Sequence, residues 1–593
     1  MRFLALALCL ISSLPMIAAN NADSLDARRK QLNDLVSEFW EYKMRTNPVF
    51  ASIIGDKRYN DQLGSDSAEF LKKDVATKRE YMARFQAINT AGFSLQERLN
   101  QELEIREIKR DIGFFDLKLW QMPVSQIEGI HIGAPQLVTI LSFQTVKDYT
   151  DYISRLHQLP RAFSEVTDNM RLGMAGGMMP PKFLLEKVVD QTNEIASTPA
   201  EKSPFAQPFE KFPAEFSEAD KTRLKKEGLA AIKDDVIPAY AKFAKFVKDD
   251  YVPKGRSEVG IWSLPNGDAI YRFMVRESTT TDVEPEKIHQ LGLQQVAEIE
   301  KQQLAIANKL GYKDLKSFAA TIATDPKLHA QSREQILDLY RKYIGQMEPR
   351  LPQLIGRLPK AKLIVMPDEP YREKDASAAE YIMGTPDGSR PGHVMVNTSD
   401  PEKRLTINME STAYHEGVPG HHLQMSLAQE IGTLPPFRQH GFWGAYIEGW
   451  ALYSERLGKE VGFYQDPYND YGRLQDEMLR AIRLVVDTGL HYKHWTRDQV
   501  VQFFHDHSSE DEPNVQSETN RYISWPGQAL SYKMGQLQIL ALRDRAQKEL
   551  GSKFDIREFH DAVLDSGALP LDVLEEQVNA WIEQKQAVKV ATR

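Results

Sequence analysis

Apolar positions recur at three- and four-residue intervals along most of the chain. Leu32, Leu35, Phe39 and Trp40 repeat at helical spacing, and the pattern holds from residue 26 to about 110, with residues 95–112 rich in Glu, Leu, Arg and Ile. The same period predicts helices over 145–172, 221–248, 285–310 and 333–355, with Pro180-Pro181 marking a break. Residues 198–216 carry Pro199, Pro204, Pro208 and Pro213 among mixed charges and read as a surface loop or linker. Between 362 and 397 the character changes. Leu363-Ile364-Val365-Met366 and His393-Val394-Met395-Val396-Asn397 are short and β-branched, with turn-forming residues between them, so a small sheet or hairpin is expected. Beyond Arg404 the helical period returns. The fold class is therefore mainly α.

A chain of 593 residues permits several domains or one large body. Hydrophobic residues at 42% and charged residues at 26% are those of a globular protein, and a net charge of −9 excludes the basic footprint of a nucleic-acid binder. Residues 1–19 read as an export signal: Arg2 precedes an apolar stretch, and Ala18 and Ala19 offer a cleavage site. The expected location is periplasmic or secreted, with no stable membrane insertion after signal removal. Cys9 lies too early for a lipoprotein site and follows Leu8 where a small residue belongs. As the only cysteine, it leaves the mature chain without disulfides or thiolate ligands. A tight metal site must then use His, Asp and Glu.

Nine of the 14 histidines fall between His393 and His507. Within that stretch stands Tyr414-His415-Glu416-Gly417-Val418-Pro419-Gly420-His421-His422. Zinc hydrolases of the HExxH type place two histidines one helical turn apart, with a glutamate beside the first to activate the metal-bound water. Here the second histidine is late. In a straight helix an i+4 partner lies about 6 Å along the axis and about 40° round it, whereas His421 at i+6 is about 120° off the face. His422, at i+7, regains the face but lies about 10 Å away. Sharing one ion with His415 thus requires a distortion, which Pro419-Gly420 can supply as a two-residue bulge that returns His421. His422 stays open as the alternative. A third ligand is needed, because catalytic zinc keeps its fourth position for water. Glu448, in the helical segment Gly444-Ala445-Tyr446-Ile447-Glu448, is the candidate, and Glu455 could hold a histidine N–H behind the ligands.

These strings, together with EGWALYSE, SWPGQALSYKMG and the upstream DGSRPG, resemble the bacterial family catalogued as domain of unknown function 885, over nearly the whole mature chain. That family is similar to the gluzincin zinc metallopeptidases, whose third ligand is a glutamate on a following helix. The resemblance implies one large helical body of two lobes, about 25–360 and about 361–590, around a deep active-site cleft. It also implies one Zn2+ per chain, with Glu416 as general base. A tyrosine late in the chain serves gluzincins as oxyanion donor, which points to Tyr532, with Tyr522 and His491 next. The segment 487–491 breaks a helical pattern at Gly489 and would carry His491 toward the cleft. Arg521 and Lys533 are expected to bind a substrate carboxylate, and Met395-Val396-Asn397 to pair with an extended substrate as an edge strand.

The expected function is hydrolysis of short peptides, with carboxypeptidase or dipeptidase preference. Two alternatives share the residues: a metal-dependent amidohydrolase acting on non-peptide or cell-wall amides, and a catalytically silent, metal-stabilised binding protein. Glu416 argues against the last, since a purely structural zinc has no use for a general base.

Overall fold

The computed structural model describes residues 24–587, apart from 369–372, 374–376, 387 and 389. The leader-like stretch at 1–19, with Cys9, lies outside the described residues, as do Asp387 and Ser389 of the DGSRPG string. The fold is mainly α with one small sheet. No described helix is long and apolar enough to cross a membrane.

Helices α1 (Leu25–Thr46), α2 (Ala68–Gln86) and α3 (Leu95–Asp116) open the described chain. Each starts on a serine whose hydroxyl accepts a backbone N–H, and Ser94 with Glu97 completes a capping box. Such a cap contributes about 1 kcal/mol. Leu32, Leu35, Val36 and Phe39 form the buried stripe of α1. It does not close on its neighbours alone. Its apolar cluster takes in Trp450 and Tyr453 from mid-chain and Leu574 and Val578 from near the end.

Helix α4 (Val146–Gly176) stops at Gly177, whose φ of 74° suits glycine, and Pro181 leads into α5 (Lys182–Ser197). The segment at 198–216 departs from the loop expected. It folds into two 3-10 turns, Ala200–Lys202 and Pro204–Phe209, and Phe205 and Phe209 are fully buried against Tyr152 and Tyr240. The prolines fix the turn dihedrals while the aromatics between them fill a second core. Helix α6 (Pro285–Lys309) matches its expected span, whereas α7 (Arg333–Met347) gives way to a 3-10 stretch, Glu348–Gln353, where two prolines remove backbone donors.

The sheet orders β1 (Leu363–Pro367), β2 (Ala379–Ile382) and β3 (Gly392–Val396) as β1-β3-β2. β3 pairs parallel with β1, Val365 opposite Val394, and antiparallel with β2, Tyr381 also opposite Val394. The two segments recognised in sequence thus form no hairpin with each other, because the intervening β2 turns back onto β3. β3 is the central strand and is not available as an edge for an extended substrate.

The C-terminal half carries α8 (Met409–Glu416), α9 (His421–Glu430), α10 (Gly444–Glu460), α11 (Pro467–His491), α12 (Glu512–Ser524) and α13 (Ser531–Leu550). α10 and α13 run side by side in the same direction: Gly444 adjoins Ser531, and Glu460 pairs with Arg543. Their backbones touch at Gly449 and Gly535. A Cβ at Gly535 would lie 1.8 Å from the Ala445 carbonyl oxygen, and one at Gly449 would lie 2.4 Å from the Gly535 Cα.

Candidate metal centre

The histidine motif is two helices rather than one bulged helix. α8 stops at Gly417 (φ −92°, ψ −117°), and α9 starts after Gly420 (φ −82°, ψ −129°), with a cis Val418–Pro419 bond between. The Trp450 indole donates to the Pro419 carbonyl at 2.8 Å and ties the turn to α10. A Cβ at Gly420 would sit 1.9 Å from the His415 carbonyl oxygen, so no side chain fits there. His415 therefore ends one helix and His421 begins the next. Their rings lie 4.8 Å apart, centroid to centroid, at 88°.

Glu448, in the second turn of α10, completes the group. Its Oε2 lies 3.6 Å from His415 Nε2 and 3.5 Å from His421 Nε2. One donor atom from each of the three residues falls within 4.8 Å of the others. Ligands about 2.0–2.2 Å from a tetrahedral zinc are separated by roughly 3.4 Å, close to the spacing of the Glu448 oxygen from each imidazole. Behind them Glu455, two turns along the same face from Glu448, accepts from His415 Nδ1 at 2.8 Å. That bond turns Nε2 toward Glu448, the nitrogen an ion would take. His421 Nδ1 is buried and has no partner among the described residues. His422 faces away. Its Nδ1 meets the Tyr381 hydroxyl of β2 at 3.0 Å and Ser426 Oγ at 3.4 Å, and burial lowers its pKa to about 4.

Three carboxylates lie about His415: Glu416 and Glu455 are buried and Glu448 is partly exposed. Burial acts to lower the His415 pKa, but hydrogen bonds to Glu448 and Glu455 and the charge of Glu416 outweigh it and hold it at about 10. Burial likewise opposes ionisation of Glu448, yet the two histidines hold it well below the usual carboxylate range. Burial pushes Glu416 and Glu455 upward. The cluster calls for positive charge at its centre, as expected of anionic donors arranged for a cation.

Residues 48–578 match the family described as "Bacterial protein of unknown function (DUF885)". The chain belongs to that family. A crystal structure of a "putative lipoprotein" from Colwellia psychrerythraea is 29% identical, with a TM-score of 0.89 over 94% of this chain and 99% of the other. A "putative lipoprotein of unknown function" from Shewanella oneidensis, 16% identical, shares the fold at a TM-score of 0.70 over 92% of this chain and 99% of that one. No curated protein matches the chain.

In this DUF885 protein several residues singled out by sequence are occupied elsewhere. His491 closes α11, which runs unbroken through Gly489. Its Nδ1 accepts from Ile261 N at 3.0 Å, and its Nε2 donates to the Tyr522 carbonyl at 2.9 Å. Both nitrogens serve the backbone, and burial holds its pKa at about 3. It offers no proton to a reaction. Lys533 is fully buried, its ammonium donating to Glu477 and Gln536 at 2.7 Å each, and so does not face substrate. Asn397, also buried, accepts from Ser399 N and Oγ and stabilises the turn after β3. The Tyr522 hydroxyl donates to Glu518 and accepts from Arg483. Tyr532 is buried, and its hydroxyl accepts from Arg521 at 3.2 Å.

Two neighbours of Glu416 in the DUF885 site escaped the sequence reading. Arg480, on α11, lies within electrostatic reach of both Glu416 and Glu455, and its Nε is buried with no hydrogen-bond partner among the described residues. Tyr340, buried on α7, lies beside Thr412 and Glu416. The available signal was the period of α11. Asp476, Arg480, Arg483 and Asp487 recur at three- and four-residue steps in a helix that otherwise reads Leu, Ile and Val. Charges at core-facing spacing demand partners.

Proposed function

We propose that the protein is a zinc-dependent peptidase acting on short peptides in the cell envelope. The observation that supports this reading is the convergence of His415, His421 and Glu448, the Glu448 oxygen 3.5–3.6 Å from each imidazole, with Glu416 directly beside the first ligand. A zinc ion held by those three residues would supply a Lewis acid for the scissile carbonyl and acidify a water in the remaining position. Glu416 takes the proton from the attacking water as the new C–O bond forms. It then delivers that proton to the leaving nitrogen as the C–N bond breaks. Glu455 keeps His415 in the tautomer that presents Nε2. Tyr532, its hydroxyl oriented by Arg521, is the side chain assigned to the developing oxyanion. The envelope location is supported by the leader-like residues 1–19 and by the description of the Colwellia psychrerythraea protein as a "putative lipoprotein".

The decisive experiment pairs metal analysis with peptide cleavage in Glu416→Gln. One zinc per chain should be retained while turnover falls by about 10²–10⁴-fold. Undiminished turnover would discard the mechanism. Hydrolysis of cell-wall or other non-peptide amides, with none of peptides, would favour the amidohydrolase reading instead.

A further inference from the structure

Resting on the peptidase reading above for the nature of the substrate, we propose that Arg483 and Arg521 form a subsite for the free C-terminal carboxylate of a short peptide. A single carboxylate, Glu518, lies between the two guanidiniums. Its Oε2 accepts from Arg483 Nε and Nη2 at 3.2 and 2.9 Å, and its Oε1 accepts from Arg521 Nη1 at 3.3 Å. Two permanent cations against one anion leave one positive charge uncompensated. Arg483 is buried, and its Nη1 has no hydrogen-bond partner among the described residues. A buried guanidinium N–H without an acceptor is costly to leave so, and a ligand oxygen would relieve it. Tyr532 joins the pair: its ring lies 4.5 Å from the Arg483 guanidinium, and its hydroxyl accepts from Arg521.

Access and position point the same way. Arg521 keeps 25% of its side chain exposed, whereas Arg483 keeps 5%, so one guanidinium is anchored and the other reaches solvent. Arg483 follows Arg480 by three residues in α11, about 4.5 Å along the axis. Arg480 in turn flanks Glu416. The pair thus lies one helical turn along α11 from the arginine whose charge reaches the general-base candidate. The planar, two-oxygen carboxylate matches a guanidinium fork, which an internal peptide carbonyl does not. Trp525, 39% exposed and one turn beyond Arg521, adds apolar surface for a terminal side chain. The substrate class is therefore short peptides with a free C-terminus.

Calorimetric binding to the full chain, in the Glu416→Gln background to prevent turnover, tests this with N-acetyl-alanyl-phenylalanine and its C-terminal amide. The acid should bind about tenfold or more tightly than the amide. Arg521→Gln should bring the two within about twofold, and Arg521→Lys should retain part of the difference. Equal affinity for acid and amide, no binding of either, or a preference surviving Arg521→Gln would each overturn the assignment. Thermal melting of the variants separates lost recognition from lost folding. Peptide cleavage by the native chain is read separately. Its absence would sink the peptidase reading and leave the measured carboxylate preference standing.

Discussion

Two stretches of this chain, 409–455 and 518–533, are equally rich in chemically capable side chains, yet they put them to opposite uses. In the first, His415, His421 and Glu448 converge from three helices until their donor atoms lie within 4.8 Å. In the second, Lys533 and Tyr522 are consumed by Glu477 and Glu518, Tyr532 is buried, and Arg521 keeps 25% of its side chain exposed. The first stretch brings two imidazoles and one carboxylate together, with Glu455 behind His415, a donor set that a cation can join. In the second, Lys533 is matched by Glu477, while Arg521 shares Glu518 with Arg483. Residue type alone does not distinguish these outcomes; what differs is whether partners of opposite charge are supplied by the fold.

That contrast can be broken by substitution. The largest effect belongs to Glu448→Gln and His421→Gln, each of which should abolish zinc retention by the purified protein and, with it, peptide cleavage. Zinc retained at one ion per chain in either variant would remove that residue from the ligand set. Next comes Lys533→Met, which leaves Glu477 buried with Arg473 alone. It should cost about 3 kcal/mol in denaturant unfolding, with KM for peptides unchanged, because the ammonium serves the fold. Glu455→Gln should weaken zinc affinity by about 10–100-fold in a chelator competition, through the loss of the bond that sets the His415 tautomer. The smallest is His422→Gln. It should keep its zinc and lose about 1 kcal/mol with the Tyr381 hydrogen bond. Loss of zinc from His422→Gln, with retention in His421→Gln, would reverse the ligand assignment.

Much of this was legible in the sequence where a period or a spacing carried it. The helices α1 to α4, α6 and α7 follow from apolar repeats, and the late histidine signalled a distortion because i+6 is off the face of any straight helix. The distortion itself proved larger than a bulge. Gly417 and Gly420 both take dihedrals that end a helix, and sequence spacing does not separate a bulge from a break. Strand order was illegible for a related reason: β2 carries no stronger signal than its surroundings, yet it decides that β3 is central. At 198–216, prolines and charges masked Phe205 and Phe209, whose burial depends on Tyr152 and Tyr240 from distant helices. His491 failed as a catalytic candidate because its partners, Ile261 N and the Tyr522 carbonyl, are backbone groups 230 and 31 residues away. No local pattern announces them.

The contact between Gly449 and Gly535 sets a mechanical tolerance for the whole site. Glu448 immediately precedes one of these glycines, and Tyr532 lies three residues before the other, so metal donor and oxyanion candidate hang from a single backbone-to-backbone junction. A methyl group inserted there would wedge the two helices apart by something like an ångström. Displacements of that size cost roughly a hundredfold in well-aligned reactions. The absence of two side chains thus fixes the distance between the cluster and the groups that would receive the other end of the substrate, and neither can drift without the other.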